Sequence, residues 1–225
     1  MVTRPAGPRT HTSSPSPAPA GAYALVLAAG SSSRFGGDKL LAPWRGRPLV
    51  AHALAAVSAA IDAGSLTGGC VVVPLGQREL LRLTREAGLD VVENPAPAAG
   101  LSSSLRLGIA RLERTAPPDR PRAAVIFLGD QPLVRPDVVA KLTAAWHGER
   151  LAAVRPRYAE TPNEPGHPLL IDGSLWILAR SLVHDAGFGP ALSAHGVAVT
   201  SVDVPGRNPD VDTPADLGNL PLPES

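Results

Sequence analysis

The sequence predicts an α/β protein: a three-layer α/β/α sandwich around a mostly parallel sheet. Two observations carry this. Short runs of Ala, Leu, Val and Ile alternate along the chain with longer segments of helical pattern, the order that strand–helix–strand crossovers need. The runs are continuously apolar rather than alternating apolar and polar, as strands covered on both faces are. Ligands of such sheets bind outside the carboxyl ends of the strands, so the segments that follow the runs are where chemistry is sought.

In chain order, strands are expected over 22–28, 69–73, 89–92, 123–128, 151–154, 167–171 and 197–204. A helix is expected over 48–63, with Pro48 at its first position and Gly64 just past its end. Pro136 and Asp137 open another, which runs to about Trp146. Thr213, Pro214 and Asp216 read as N-cap, first and third positions of a short helix. Residues 1–21 hold Pro5, Pro8, Pro15, Pro17 and Pro19 and show no hydrophobic periodicity. They are expected to be a disordered Pro/Ser-rich tail, and 22–225 a single domain. Arg4 and Arg9 suggest the start of a secretory signal, but the Ser/Pro-rich stretch after them supplies no apolar region. A cytoplasmic protein is therefore expected.

Composition excludes several function classes. The 225 residues carry 21 Lys and Arg against 20 Asp and Glu, a formal net charge of +1, which gives no electrostatic reason for a nucleic-acid partner. No apolar run reaches the ~18 residues of a spanning helix, so no membrane partner is expected. Cys70 is the single cysteine; an internal disulfide and a Cys-rich zinc site are excluded. It opens an expected buried strand and reads as a small hydrophobe. The chain also holds 22 glycines and 25 prolines, a composition of stiff turns and open backbone loops.

Three loops carry candidate chemistry. After the first run come Leu27, Ala28, Ala29, Gly30, Ser31, Ser32, Ser33 and Arg34, and then Phe35-Gly36-Gly37-Asp38-Lys39. Glycine lets backbone N–H groups approach an anion, Arg34 and Lys39 add positive charge, and no acid precedes Asp38. The bland alternative is a flexible loop with solvated cations; the position after the first strand favours phosphate. Leu40 follows Lys39, so this is not a Walker A loop, and there is no Gly-x-Gly-x-x-Gly fingerprint.

The fourth run ends in Leu128-Gly129-Asp130-Gln131-Pro132, where Asp130 either holds Mg²⁺ beside bound phosphates or caps the turn before Pro132. In Asn208-Pro209-Asp210-Val211-Asp212, the two acids share one side if the segment is extended, and either suits a second metal ligand. No Gly-x-Ser-x-Gly elbow supports a nucleophilic serine. His52, His184 and His195 lack ligand spacing, and Trp44 reads as packing before stacking.

The stretches 27–39, 129–132 and 212–217 together resemble the molybdenum-cofactor nucleotidyltransferases, the MobA-like NTP transferases. Asn94-Pro95, followed by Gly100-Leu101-Ser102-Ser103-Ser104, is similar to the loop and helix start of the cytidylyltransferase branch. Gly166-His167-Pro168, preceded by Arg155-Pro156 and Tyr158, is similar to that branch's substrate-side segment. The likeness covers about 22–217; Ala96-Pro97-Ala98-Ala99 departs from the acidic or aromatic stretch common in relatives.

The resemblance implies a Rossmann-like nucleotidyltransferase fold and a Mg²⁺-dependent enzyme. It would transfer CMP, less readily GMP, from CTP or GTP to a molybdopterin-type phosphate, releasing pyrophosphate, with a molybdenum hydroxylase as downstream partner. Lys39, Arg34 and Asp130 are the implied catalytic residues. Leu27, Ala28, Ala29, Gly30 and Ser31, with Arg34 and Lys39, bind the nucleotide, joined by Asn94, Gly100, Ser102 and Ser103. Ser104, Gly166 and His167 line the acceptor side, and Asp130 and Asp212 hold Mg²⁺. Two alternatives stay open: another small phosphate acceptor, such as a sugar or alditol phosphate, and a non-catalytic nucleotide- or cofactor-binding accessory protein.

Overall fold

The computed structural model describes residues 21–30, 34–116 and 119–220; the expected N-terminal tail, apart from Gly21, lies outside them. Among the described residues, nine strands are β1 (Ala22–Leu27), β2 (Pro43–Trp44), β3 (Arg47–Pro48), β4 (Gly69–Pro74), β5 (Asp90–Asn94), β6 (Ala123–Leu128), β7 (Ala153–Tyr158), β8 (Leu169–Asp172) and β9 (Thr200–Val204). The helices are α1 (Leu49–Asp62), α2 (Arg78–Glu86), α3 (Leu101–Glu113), α4 (Pro136–Glu149), α5 (Phe188–Ala194) and α6 (Pro214–Gly218). A 3-10 segment, Gly173–Ser181, follows β8.

Seven strands form one sheet in the order β5-β4-β1-β6-β8-β7-β9, and β2 and β3 make a separate ribbon. Within the sheet every pairing is parallel except those of β8, which runs antiparallel to β6 and β7. The most apolar strands, β1 and β6, lie inside the sheet and are buried almost throughout. The edge strands β5 and β9 carry exposed Asp90, Glu93, Ser201 and Asp203, as strands with one open side do.

Alternation along β1 builds the layers. Ala24 and Val26 face Val50, Val57, Leu142 and Trp146 of the α1/α4 layer. Leu25 and Leu27 face Leu105 and Ile109 of α3, Trp176 of the 3-10 segment and Leu192 of α5. The chain runs outward from β1 through β4 to β5, then returns to β6 on the other side of β1. That reversal opens a crevice at the carboxyl ends of β1 and β6.

Several element bounds differ from the sequence reading, each for a local reason. β7 continues to Tyr158 because Arg155–Tyr158 go on pairing with β9, and Arg157 chelates Asp203 across the pair at 2.5 and 2.8 Å. An apolar criterion stops at Val154. Strand β8 starts at Leu169, after a cis His167–Pro168 peptide. Pro48 stands at the N-cap of α1, still in β3, and Gly64 takes φ +74 just beyond the helix as expected. Helix α4 extends to Glu149 and ends where Arg150 turns left-handed. Helix α2 escaped sequence reading because its exposed face is charged, with Arg82 bonding both Glu79 and Glu86.

Helix α3 packs on β1 through Gly108, where a Cβ would overlap the Leu25 side chain. Gly108→Ala should therefore destabilise the protein by about 1–3 kcal/mol through overpacking, despite alanine's better helix propensity. Urea unfolding reads this as a lower midpoint at unchanged slope; an unchanged or raised midpoint would contradict the packing.

Candidate active site

Three segments remote in sequence meet at the crevice. Lys39 opens a one-turn 3-10 helix, Lys39–Leu41, anchored by Leu40 in the core. Asp130 follows β6, where the Gly129 amide donates to the Leu27 carbonyl. A Cβ at Gly129 would stand 3.2 Å from that oxygen, so glycine suits the close approach. The third segment is pinned by Val211, fully buried against Leu49 and Leu220, whose amide donates to the Asp130 carbonyl at 3.1 Å. With Val211 turned inward, Asp210 and Asp212 share the opposite side.

Lys39 Nζ lies 2.6 Å from Asp130 Oδ2 and 3.1 Å from Asp212 Oδ1. Arg34, largely exposed, reaches the other oxygen of Asp212 at 3.0 Å. Burial alone would lower the Lys39 pKa, but Asp130 and then Asp212 outweigh it and hold the ammonium above its usual range. Asp210 behaves oppositely. Burial first, then the Asp130 charge, lift its carboxyl above the usual range, although Gln131 Nε2 donates to it at 2.6 Å. Asn208 completes that network by donating to Gln131 Oε1 and accepting from the Leu133 amide.

A cleft of about 650 Å³ opens over these groups. One end is lined by Gly30, Arg34, Lys39, Asp130, Asp210 and Asp212, the other by Pro97, Ala98, Gly100, Leu101, Ser104 and Asp185. Leu27 and Ala29 line it as well. Ala28 is buried beneath, its amide given to Val72, and Ser31 lies outside the described residues.

Other expected site residues turn inward. Asn94 is fully buried and donates to the hydroxyls of Ser103 and Ser104. The Ser103 hydroxyl donates to the Ala96 and Gly100 carbonyls, and that of Ser102 accepts from Arg106. The first amides of α3 are also engaged: Ser102 N donates to His184 O at 2.9 Å and Leu101 N to Asp185 Oδ1 at 3.4 Å. Gly100 takes φ +88 there, and a Cβ would strike the His184 carbonyl group. Asn94 and Ser103 thus fasten the loop before α3, and Ser102 braces Arg106, instead of lining the cleft.

Gly166 and His167 sit beyond the cleft lining, just before β8. Tyr158 OH donates to His167 O at 2.9 Å, and burial pushes the imidazole pKa down to about 4, helped by the charge of Arg155. Trp44 packs with Phe35, Leu133 and Leu217 around Leu49, with Arg45 over its ring at 4.3 Å. Thr213 and Asp216 form the expected capping box of α6. Cys70 is buried, its thiol pushed up to about 12. Sequence reading missed the Gln131–Asp210 pair and Asp185; Gln131 stood inside a motif already in view, whereas no local pattern marked Asp185.

Among the described residues, no trio of His, Cys, Asp or Glu forms an all-protein metal site. The donor chemistry still fits a hard divalent cation. Asp130 and Asp212 present partly exposed carboxylates in one cleft, and such ions complete their shells with water and substrate phosphates.

Residues 24–199 match the MobA-like NTP transferase domain. The chain belongs to this family. A curated relative from Pyrococcus horikoshii, named probable molybdenum cofactor guanylyltransferase, is 29% identical over 145 residues, 63% of this chain and 65% of that protein's length. The Rv0371c protein of Mycobacterium tuberculosis H37Rv superposes with a TM-score of 0.68 at 27% identity, covering 88% of this chain and 96% of that one. The same protein in complex with manganese gives 0.67 at 25% identity, with 89% and 100% covered. No described helix is long and apolar enough to cross a membrane.

Because the folded pKa of His167 lies below the unfolded 6.5, the stability linked to it is present above pH 6.5 and lost as pH falls toward 4. His167→Asn should flatten that part of the stability profile, by up to roughly 3 kcal/mol. Denaturant midpoints across this window test it; an equal acid slope in both proteins would show that His167 is not the group responsible.

Proposed function

We propose that this protein is a Mg²⁺-dependent nucleotidyltransferase that joins CMP to the phosphate of a molybdopterin-type acceptor. The observation that carries the reading is Lys39 held between Asp130 and Asp212 at the carboxyl ends of β1 and β6. A phosphate oxygen of the acceptor attacks the α-phosphorus of the triphosphate. The bond to the bridging oxygen breaks, and pyrophosphate departs with the electron pair.

Such displacement depends on placement and charge neutralisation more than on covalent chemistry. Lys39 and Arg34 offset the charge that gathers on the leaving group. The backbone at Ala29 and Gly30 meets the phosphates closely, and the far end of the cleft, at Pro97–Leu101, receives base and sugar. Asp130 and Asp212 would hold Mg²⁺, which supplies Lewis-acid stabilisation of the phosphoryl oxygens. Without ligand, Lys39 neutralises the same two carboxylates. With triphosphate bound, the Lys39 ammonium would gain new anionic partners, and Asp130 and Asp212 would be free to hold the cation.

Transfer of GMP is the second reading, favoured by the guanylyltransferase name of the curated relatives. A molybdenum hydroxylase would receive either dinucleotide product.

Incubation with molybdopterin, Mg²⁺ and CTP, GTP or UTP should release pyrophosphate, fastest with CTP; no release with any triphosphate would overturn the proposal. Lys39→Ala and Asp130→Asn should each lower kcat at least about 100-fold. Circular dichroism should stay native, and a near-normal rate would remove that residue from the catalytic set.

A further inference from the structure

One charged group lining the cleft has no part in the phosphate chemistry. Asp185 stands at the end shared with Gly100, Leu101 and Ser104, away from Arg34 and Lys39. It is exposed, and no cation pairs with it among the described residues. A carboxylate repels triphosphate, so the partner that suits it in this cleft is a neutral hydrogen-bond donor.

The loop that carries it is fixed. Leu182 and Phe188 are buried on either side. The Leu182 carbonyl accepts from Arg106 Nη1, and the carbonyl of His184, which takes φ +50, accepts from Ser102 N at 2.9 Å. Asp185 Oδ1 accepts from Leu101 N at 3.4 Å. Oδ2 has no hydrogen bond among the described residues and remains open to a ligand.

The first turn of α3 adds a donor. Asn94 Oδ1 accepts from the Ala96 amide, which turns its Nδ2 toward the hydroxyls of Ser103 and Ser104. Ser103 donates its own proton to the Ala96 and Gly100 carbonyls. Ser104 accepts from Asn94 at 3.0 Å, and its proton meets no acceptor among the described residues although the residue is only 3% exposed. Buried polar groups seldom stay unmet unless water or a ligand meets them. Ser104 follows Leu101 by three residues, so its hydroxyl and the Asp185 carboxylate border one face of that turn.

Resting on the nucleotidyl-transfer reading, we propose that Asp185 selects the base, accepting a hydrogen bond from the exocyclic amino group of cytosine while Ser104 donates to its O2. A carboxylate is a natural acceptor for that amino group. Uracil carries a carbonyl oxygen in its place, and opposite Asp185 two acceptors would face each other with no proton between them. O2 is common to both bases. Asp185 therefore decides between the pyrimidines, and Ser104 adds affinity for either.

The test is equilibrium binding of CTP and of UTP, each with Mg²⁺, to the full-length protein. Wild type should bind CTP at least about tenfold more tightly than UTP, and Asp185→Ala should bring the two within about threefold. Asp185→Asn keeps an oxygen for Leu101 N and turns an amide NH₂ to the cleft, so UTP should become the tighter ligand. Ser104→Ala should weaken both by a similar factor and leave the preference intact. A loop merely loosened by substitution would lower both affinities together without moving their ratio. An unchanged ratio in both Asp185 variants, or no preference in wild type, would overturn the assignment. An Asp185-dependent preference for CTP without pyrophosphate release on adding molybdopterin would support this base contact and defeat the transfer reading. Pyrophosphate release with no such preference would do the reverse.

Discussion

The site depends on one ammonium group shared between two carboxylates. Lys39 joins segments that lie 91 and 173 residues away in sequence, and it does so in a partly buried place where water screens little. The elements around it make that meeting possible. Leu40 drives the turn after the loop that follows β1 into the core, Gly129 lets the backbone after β6 approach β1, and Val211 anchors the C-terminal strap. Taking away Lys39 removes the charge that both carboxylates share, although Asp212 keeps Arg34.

On the proposed reading, local charge, and not the nearly neutral total, would suit this cleft to triphosphate. Arg34 and Lys39 stand against Asp130, Asp210 and Asp212 at this end of the cleft, and burial, then the Asp130 charge, lift the Asp210 carboxyl above its usual range. On that reading the cations are neutralised by groups that would turn to a metal once phosphate arrived. Such an arrangement would favour a cation and a triphosphate together over either one separately.

Much of the fold was legible because it rests on local pattern. Continuous apolar runs marked β1, β4 and β6 nearly to the residue, and proline and threonine placed the start of α4 and the cap of α6. What escaped depends on tertiary partners. The antiparallel direction of β8 leaves no trace in its composition, and the polar end of β7 is a strand only because Asp203 of β9 answers Arg157. At the site, Lys39, Arg34, Asp130 and Asp212 were legible as charge placed after apolar runs, and the structure brings them together. Asn94, Ser102 and Ser103 looked like ligand groups by type, yet folding uses Asn94 and Ser103 to tie the loop before α3 and sets Ser102 against Arg106. Small polar side chains serve both purposes equally well, and sequence does not separate the two.

The central claim is that Asp130 and Asp212 await a cation and a triphosphate jointly, with Lys39 occupying them until both arrive. Electron paramagnetic resonance of Mn²⁺ titrated into the protein, with and without CTP or GTP, tests it most directly. The account predicts weak binding of Mn²⁺ alone, tight binding in the presence of triphosphate, and loss of the tight mode in Asp130→Asn and Asp212→Asn. Equally tight Mn²⁺–triphosphate binding in those variants, or no gain from triphosphate in wild type, would contradict it.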